Sequence, residues 1–395
     1  MQHYLKPLFF VAIISALFPV SCYLYFQVFL AVLLLGMLLW GVVTQRINIR
    51  ELLTPYTLLM VILLGWSLFS FVWAVDREGW LISNVILISA VVHAITLTYL
   101  FVDKIFKEQL MFLLLGIITA HHLIGWFEWL TSQEYLAHGG FTFHPYRQLY
   151  NPMLFFGNIN DYALFLLFSI LFCLSWQPNL TSPQLKWLIY LGKIALVLSG
   201  FLLIHYVAAR GILFSAGYAL VFFGVLHISS KKLRRSIVIL GGISCLIATA
   251  LLYTDVIEYL SQDGSFVIRY HLIRNGWLHL KQTFYMGVGA GNTDNYMINF
   301  NYYPTYGFVT MHNWWMGMLV SYGLPFFVVY GLYHIRVFVT AYYWAVKYHN
   351  SMGKFVVTWL FSFIVAGMIP NTLFHFIWFW MIHHLVFVWF ENEIQ

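Results

Sequence analysis

CYLYFQVFLAVLLLGMLLWGVVT, residues 22–44, contains no charged side chain and one amide, Gln27. About 20 apolar residues in a helix cross the hydrocarbon core of a bilayer. In lipid a helix satisfies its own backbone hydrogen bonds, so this stretch reads as a membrane-spanning helix. Similar windows recur on either side of it, at 5–20, 55–74, 80–102, 109–130, 152–175, 185–205, 208–228, 234–254, 312–335, 354–370 and 372–391. The first run opens on Lys6-Pro7 and looks a little like a signal peptide, but no small-residue cleavage site follows, so it reads as a retained span. The expected fold is all-α: a polytopic membrane protein of about twelve transmembrane helices forming one integral membrane domain over 1–395.

Composition agrees with that reading. The 395 residues are 62% hydrophobic and 9% charged, whereas soluble domains carry about 25% charged residues. An outer-membrane β-barrel would read as alternating segments of about ten residues, not as unbroken apolar runs. The net charge of +6 is dispersed among the apolar segments, so no nucleic-acid partner is expected. Cys22, Cys173 and Cys245 each sit inside an apolar run and form neither a disulfide framework nor a metal-thiolate spacing.

Basic residues then orient the chain. Lys231, Lys232, Arg234 and Arg235 are the densest basic cluster, which the positive-inside rule puts in the cytoplasm. Counting spans outward from it places Lys6, Arg46, Arg50, Lys104, Lys107, Lys186, Arg336, Lys347 and Lys354 on the same side, thirteen in all. Arg77, Arg147, Arg210, Arg269, Arg274 and Lys281, six in number, fall outside, and Lys193 is assigned to neither. Both termini are therefore expected in the cytoplasm. Two long outside loops result, 131–151 and 255–311; loops of such length are usually functional or disordered, and 255–311 is not disordered in composition. Within the second, 266–283 has apolar residues at helical spacing and is expected to lie along the membrane surface.

Each outside arginine needs a reason. Arg210 stands between two apolar spans with almost no polar loop around it. Its planar fork suits a phosphate or diphosphate, and the bland alternative is a side chain snorkelling to lipid headgroups. Arg269 and Arg274 are five residues apart, about 140° around a helix, so one is expected at a ligand and the other at a headgroup or loop contact. His312 opens a span before Asn313, and an imidazole at the water interface can accept a proton near neutral pH; the alternative is a helix-capping histidine. The adjacent pairs His121-His122 and His383-His384 splay about 100° apart and read as interhelical hydrogen-bonders. Glu128 and Asp161 read as partners for outside arginines or as local caps. Trp314, Trp315, Tyr302 and Tyr303 form either an aromatic belt or a sugar-stacking platform. The glycines of Gly287-Val288-Gly289-Ala290-Gly291 do not lie between a strand and a helix, so a dinucleotide site is rejected. They are expected to let the backbone turn sharply against another element.

Four of these pieces together resemble the O-antigen ligase and polysaccharide-polymerase superfamily. Gly157-Asn158-Ile159-Asn160-Asp161-Tyr162-Ala163 is similar to its Asn-x-Asn-x-x-Ala segment. Ala209-Arg210-Gly211 is similar to its Ser-Arg-Gly motif, with Ala in place of Ser. Arg269 followed by Gly287–Asn292 resembles its Arg…Gly-x-Gly element, and His312-Asn313 with Tyr322-Gly323-Leu324-Pro325 its His-Asn…Gly-Leu ending. The resemblance implies a GT-C-like fold and glycosyl transfer from a polyprenyl-diphosphate-linked oligosaccharide donor to a glycan or lipid-linked acceptor, on the outer face of the bacterial inner membrane. It implies His312, Arg210 and Arg269 as catalytic residues, and Arg147, Asn160, Asp161, Arg274 and Asn313 as substrate-binding ones. No metal or other cofactor is expected, because arginines can neutralise a diphosphate. Inversion at the anomeric carbon is expected from a single displacement.

Polymerisation of repeat units is the preferred activity, with ligation of a finished glycan onto lipid A-core or another carrier as the alternative. A transporter or flippase would place ionisable residues at the membrane midplane in paired broken helices. Here the outside arginines gather at one face. A non-catalytic assembly subunit is the remaining rival, and it would tolerate loss of His312.

Overall fold

The computed structural model describes residues 2–18, 23–131, 154, 156, 158–228, 230, 232, 236, 264–369 and 376–394. Apart from turns these are helical: α1 Gln2–Leu17, α2 Tyr23–Val43, α3 Ile49–Leu52, α4 Pro55–Phe69, α5 Arg77–Phe101, α6 Lys104–Thr131 and α7 Ile159–Ser175. Then come α8 Pro183–Tyr206, α9 Arg210–Leu226, α10 Gly264–Gln282, α11 Thr293–Asn299, α12 Trp314–Lys347, α13 Ser351–Ala366 and α14 Ile377–Ile394. Among the described residues there is no strand. Each expected span meets a helix except 234–254, which apart from residue 236 lies outside the described residues. Six helices (α2, α4, α5, α6, α8 and α12) have the length and hydropathy to cross a membrane by themselves, and α1, α7, α9 and α13 are shorter apolar helices. The span expected to start at 152 begins as a helix only at Ile159, where Asn158 caps it.

Side-chain caps set the helix starts. Thr54 and Thr57 form a reciprocal capping box with Pro55 at the first helical position of α4. Asp76, Ser182 and Asn350 accept from backbone N–H groups of α5, α8 and α13. Burial sorts the bundle into layers. In α5, 72% of the apolar window is buried inside the protein, against 22% in α8, so α5 is central and α8 faces lipid. The side chains of α7 and α14 are likewise buried on nearly all sides. The two histidine pairs tie these central helices to their neighbours. His121 bonds the Leu17 carbonyl at 2.8 Å and His122 reaches Ser169 and Ser199. His383 and His384 share the Tyr56 hydroxyl at 2.9 and 2.6 Å.

One end of the bundle collects ion pairs: Lys6–Asp103, Lys107–Glu393 and Arg336–Glu391. Lys193, unassigned by span counting, donates to the Trp176 carbonyl at this end.

The tenth span needs correction, because α12 is not one straight helix. A straight run from Trp314 to Tyr330 would separate them by about 24 Å, yet the Trp314 indole N–H donates to the Tyr330 hydroxyl at 3.1 Å. Trp315 likewise lies 6.1 Å, ring to ring, from His334. The chain folds back at Gly323, whose φ is +76°. A short arm over 314–322 therefore returns along a long arm over 324–347. At about 1.5 Å per residue the long arm is about 36 Å, enough to cross the membrane alone.

The turn leaves carbonyls without their helical donors, since Pro325 has no N–H. The Gly-rich segment supplies replacements. Val288 N–H donates to Val320 O at 2.8 Å and Gly289 N–H to Ser321 O at 3.0 Å, while Leu324 N–H turns to Tyr285 O at 2.8 Å. A side chain at Gly323 would meet Tyr285 O at 2.6 Å, which explains a glycine there. The other face of the segment rests on the adjoining ends of α4 and α5. Trp73 donates to Gly287 O at 2.9 Å, and the Asn292 side chain bonds both the N–H and the carbonyl of Asp76.

Candidate active site

The site is built under a small cap that packs separately from the main core. Leu272 of α10, Val288, Met297 of α11, Met311 and Val320 form a second apolar cluster. Helix α10 turns Ile268, Leu272 and Gly276 toward it, one face at spacings of four. Close approach needs Gly276, since a Cβ there would meet Met311 and Val320 at 2.9 Å. The opposite face carries Tyr270, Arg274 and Trp277 into the open.

That split separates the two loop arginines. Arg269 is half-buried and lies close enough to His312 to act on its charge. Arg274 is exposed and stacks its guanidinium 4.0 Å from the Tyr303 ring centre, with Tyr270 at 5.6 Å.

His312 is held in the left-handed region, with φ +45°. Such a conformation is uncommon for a residue with a Cβ and persists where surrounding structure enforces it. Two neighbours do so. Asn313 caps the short arm by accepting from Met316 N–H at 3.0 Å, and Trp314 N–H donates to Gly367 O at 2.7 Å. The Nδ1 atom of His312 is buried and has no hydrogen-bond partner among the described residues. Burial, and secondarily the Arg269 guanidinium, pull its pKa from 6.5 down to about 4. The imidazole is therefore neutral at pH 7, with a lone pair available.

Arg210 stands beside Gly211, which packs at the turn that ends α13. It occupies the first position of α9, exposed, following Ala208 at φ +58°. Gly211 abuts the Ile369 side chain, so Arg210 is pressed close to the 367–369 turn on which Trp314 also hangs. Trp314 and Gly211, the near neighbours of His312 and Arg210 in the chain, thus both meet this turn, and Arg269 acts on His312.

The remaining sequence-derived candidates are spread more widely. Asn160 and Asp161 lie in the first turn of α7, which packs against α9; Asn160 N–H donates to the Asn158 cap at 2.8 Å and Asp161 is fully buried. Glu128 holds the approach to α7 by accepting from Leu154 N–H at 3.0 Å. Asn313 has its side-chain oxygen engaged in the helix cap. Arg147 lies outside the described residues. Trp314 belongs to neither belt nor platform: it is buried against Phe379 and Trp380.

Sequence reading missed the supports of the turn at Gly323. Trp66 donates to Tyr322 O at 2.6 Å and Trp73 to Gly287 O. Their spacing of seven, two helical turns on one face beside an outside loop, was the available signal. It also missed Asp294 on α11, whose carboxyl is pushed up to about 6 by burial.

A family model described as O-antigen ligase matches residues 194–331, a range that holds Arg210, Arg269, Arg274, His312 and Asn313. Teichuronic acid biosynthesis protein TuaE of Bacillus subtilis (strain 168) is 24% identical over 312 residues, covering 74% of this chain. The chain spans 62% of the length of that relative. Over residues 194–331 the chain is thus similar to the O-antigen ligase family, and over a longer stretch to TuaE.

Proposed function

We propose that the protein transfers a glycan from a polyprenyl-diphosphate donor to a sugar hydroxyl at the extracytoplasmic face of the bacterial inner membrane, with both termini cytoplasmic. The observation that supports this reading is a buried His312 with Arg269 acting on its charge, while the start of α9, which carries Arg210, packs at the 367–369 turn to which Trp314 N–H is bonded. Family and relative support cell-envelope glycan polymerisation or ligation at the coarser level. Polymerisation of repeat units is the finer reading, and ligation onto a carrier lipid is its alternative.

The roles follow from charge. The acceptor oxygen attacks the anomeric carbon, the bond from that carbon to the phosphate oxygen breaks, and the diphosphate leaves with the electron pair. Arg210 and Arg269 stabilise the charge that develops on it. His312 takes the proton from the acceptor hydroxyl, a contribution typically worth about 10²–10⁴-fold. A pKa near 4 makes His312 a weak base in the empty site. A bound diphosphate beside Arg269 cancels the charge that depresses it, so donor binding strengthens the base. Single displacement inverts the anomeric configuration. Two arginines neutralise the diphosphate in place of a divalent cation, so transfer is expected to persist in excess chelator.

The test is purified protein with a lipid-diphosphate-linked donor and each acceptor class, product size read on a gel. A ladder supports polymerisation and one discrete shift on a carrier lipid supports ligation. Donor consumption without any glycosylated product overturns the transferase reading.

A further inference from the structure

At the end of the bundle opposite His312 there is a cavity of about 390 Å³. Helix α13 fixes the separation: its Asn350 cap lines the cavity and its other end reaches the 367–369 turn, about 24 Å away along 16 residues. The volume falls in the range of small-ligand sites. The lining includes Lys104, Lys107, Ser175, Trp176, Asn350 and Trp389. Ser175 is 5% exposed, and its hydroxyl has no hydrogen-bond partner among the described residues. A buried orphan hydroxyl costs about 1–3 kcal/mol, so it points to an absent polar partner.

The charges narrow the partner. Lys107 is committed to Glu393. Lys104 and Glu108 also line the cavity and make no ion pair among the described residues. Two lysines against two glutamates sum to zero, so a purely anionic ligand would bring uncompensated charge. Apolar walls are built from stacked rings, with Phe172 on Trp176 at 5.5 Å and Phe355 beside Trp389 at 6.0 Å. Such walls suit methylene groups next to a polar head.

We propose that this cavity binds a phosphoethanolamine group, carried by a membrane phospholipid, with its phosphate at Lys104 and Ser175 and its ammonium at Glu108. The zwitterion leaves none of the four charges unbalanced and supplies the acceptor that Ser175 lacks. It also relieves the two cations in the first turn of α6, where the helix dipole and their mutual repulsion are both unfavourable.

The experiment is native mass spectrometry of the full chain released from nanodiscs holding equal phosphatidylethanolamine and phosphatidylglycerol. Wild type should retain phosphatidylethanolamine in preference, and Lys104→Gln should lower that retention about tenfold, as for loss of a charge-assisted bond. Glu108→Gln should erase the preference over phosphatidylglycerol. Both side chains are exposed, so the variants should fold, and wild-type preference alone decides if one does not. Soluble phosphoethanolamine, run in parallel, separates the sources: retention of the lipid alone supports a membrane ligand, and retention of the free compound alone supports a soluble one. Equal retention of the two lipids by wild type, or unchanged retention in Lys104→Gln, overturns the proposal.

Discussion

Arg269 and Arg274 show how five residues of helix separate two similar side chains. Arg269→Ala should cut transfer steeply, because it removes a charge-assisted donor in a poorly hydrated site. Arg274→Ala should cost less, because Arg274 sits on the Tyr303 ring at the cap surface. Transfer rates of the two variants check this, and a larger loss from Arg274 would break the assignment. Arg210→Lys keeps the charge and loses the fork, so most activity should go with it. His312→Ala should abolish transfer and leave donor binding nearly intact, since a base acts in the transition state. The acid limb of the pH–rate profile carries a sharper test. With His312 near 4 in the free protein, kcat/KM should stay flat from pH 8 to about 5 and fall below that. The acid limb of kcat should lie at higher pH, because bound diphosphate raises the histidine. Coincident limbs would remove the coupling between donor and base.

Helix α12 with its Gly-rich brace is a unit whose parts only make sense together. Pro325 removes one donor, Gly323 turns the chain, and Val288 and Gly289 replace the missing hydrogen bonds. Gly323→Ala should therefore damage folding as well as activity, since its Cβ would run into the backbone at Tyr285 and Met286. Thermal unfolding in detergent and transfer rate should fall together; normal stability with lost activity would contradict a bracing role. Asp294 on α11 gives the cap a pH signature. Its folded pKa, about 6, lies above the ordinary 3.8, so the folded state holds the proton more tightly. The contribution of Asp294 to stability should be largest below pH 4, decline between about 4 and 6, and then level off. His312 opposes it over the same window, because its lowered pKa makes the folded state gain stability as pH rises. Asp294→Asn should remove that decline, and an unchanged melting profile across this window would refute it.

At the scale of the whole molecule the ion pairs and the cap lie at opposite ends. Single cysteines at Asn179 and Tyr306, both exposed, should therefore react from opposite sides of the membrane, with Tyr306 outside. Labelling from one side at both positions would invalidate the extracytoplasmic site. Cysteine substitutions at these positions touch no cap or ion pair among the described residues, so insertion should be unaffected.

Hydrophobicity over windows of about 20 residues is a local property, so the helical membrane fold was readable from residues 22–44 outward. The same holds for the interhelical role of the histidine pairs and for the 140° between Arg269 and Arg274, which follow from helix geometry alone. The fold-back at Gly323 was not readable. A glycine and a proline inside an apolar run equally describe a kinked span, and only the hydrogen bonds from Val288 and Gly289, more than thirty residues earlier in the chain, select a full reversal. The depth and company of His312 depend on that reversal, because the short arm sets it beside Gly367 and Arg269. A position that depends on contacts between distant segments is decided by packing, and no local pattern of residues records it.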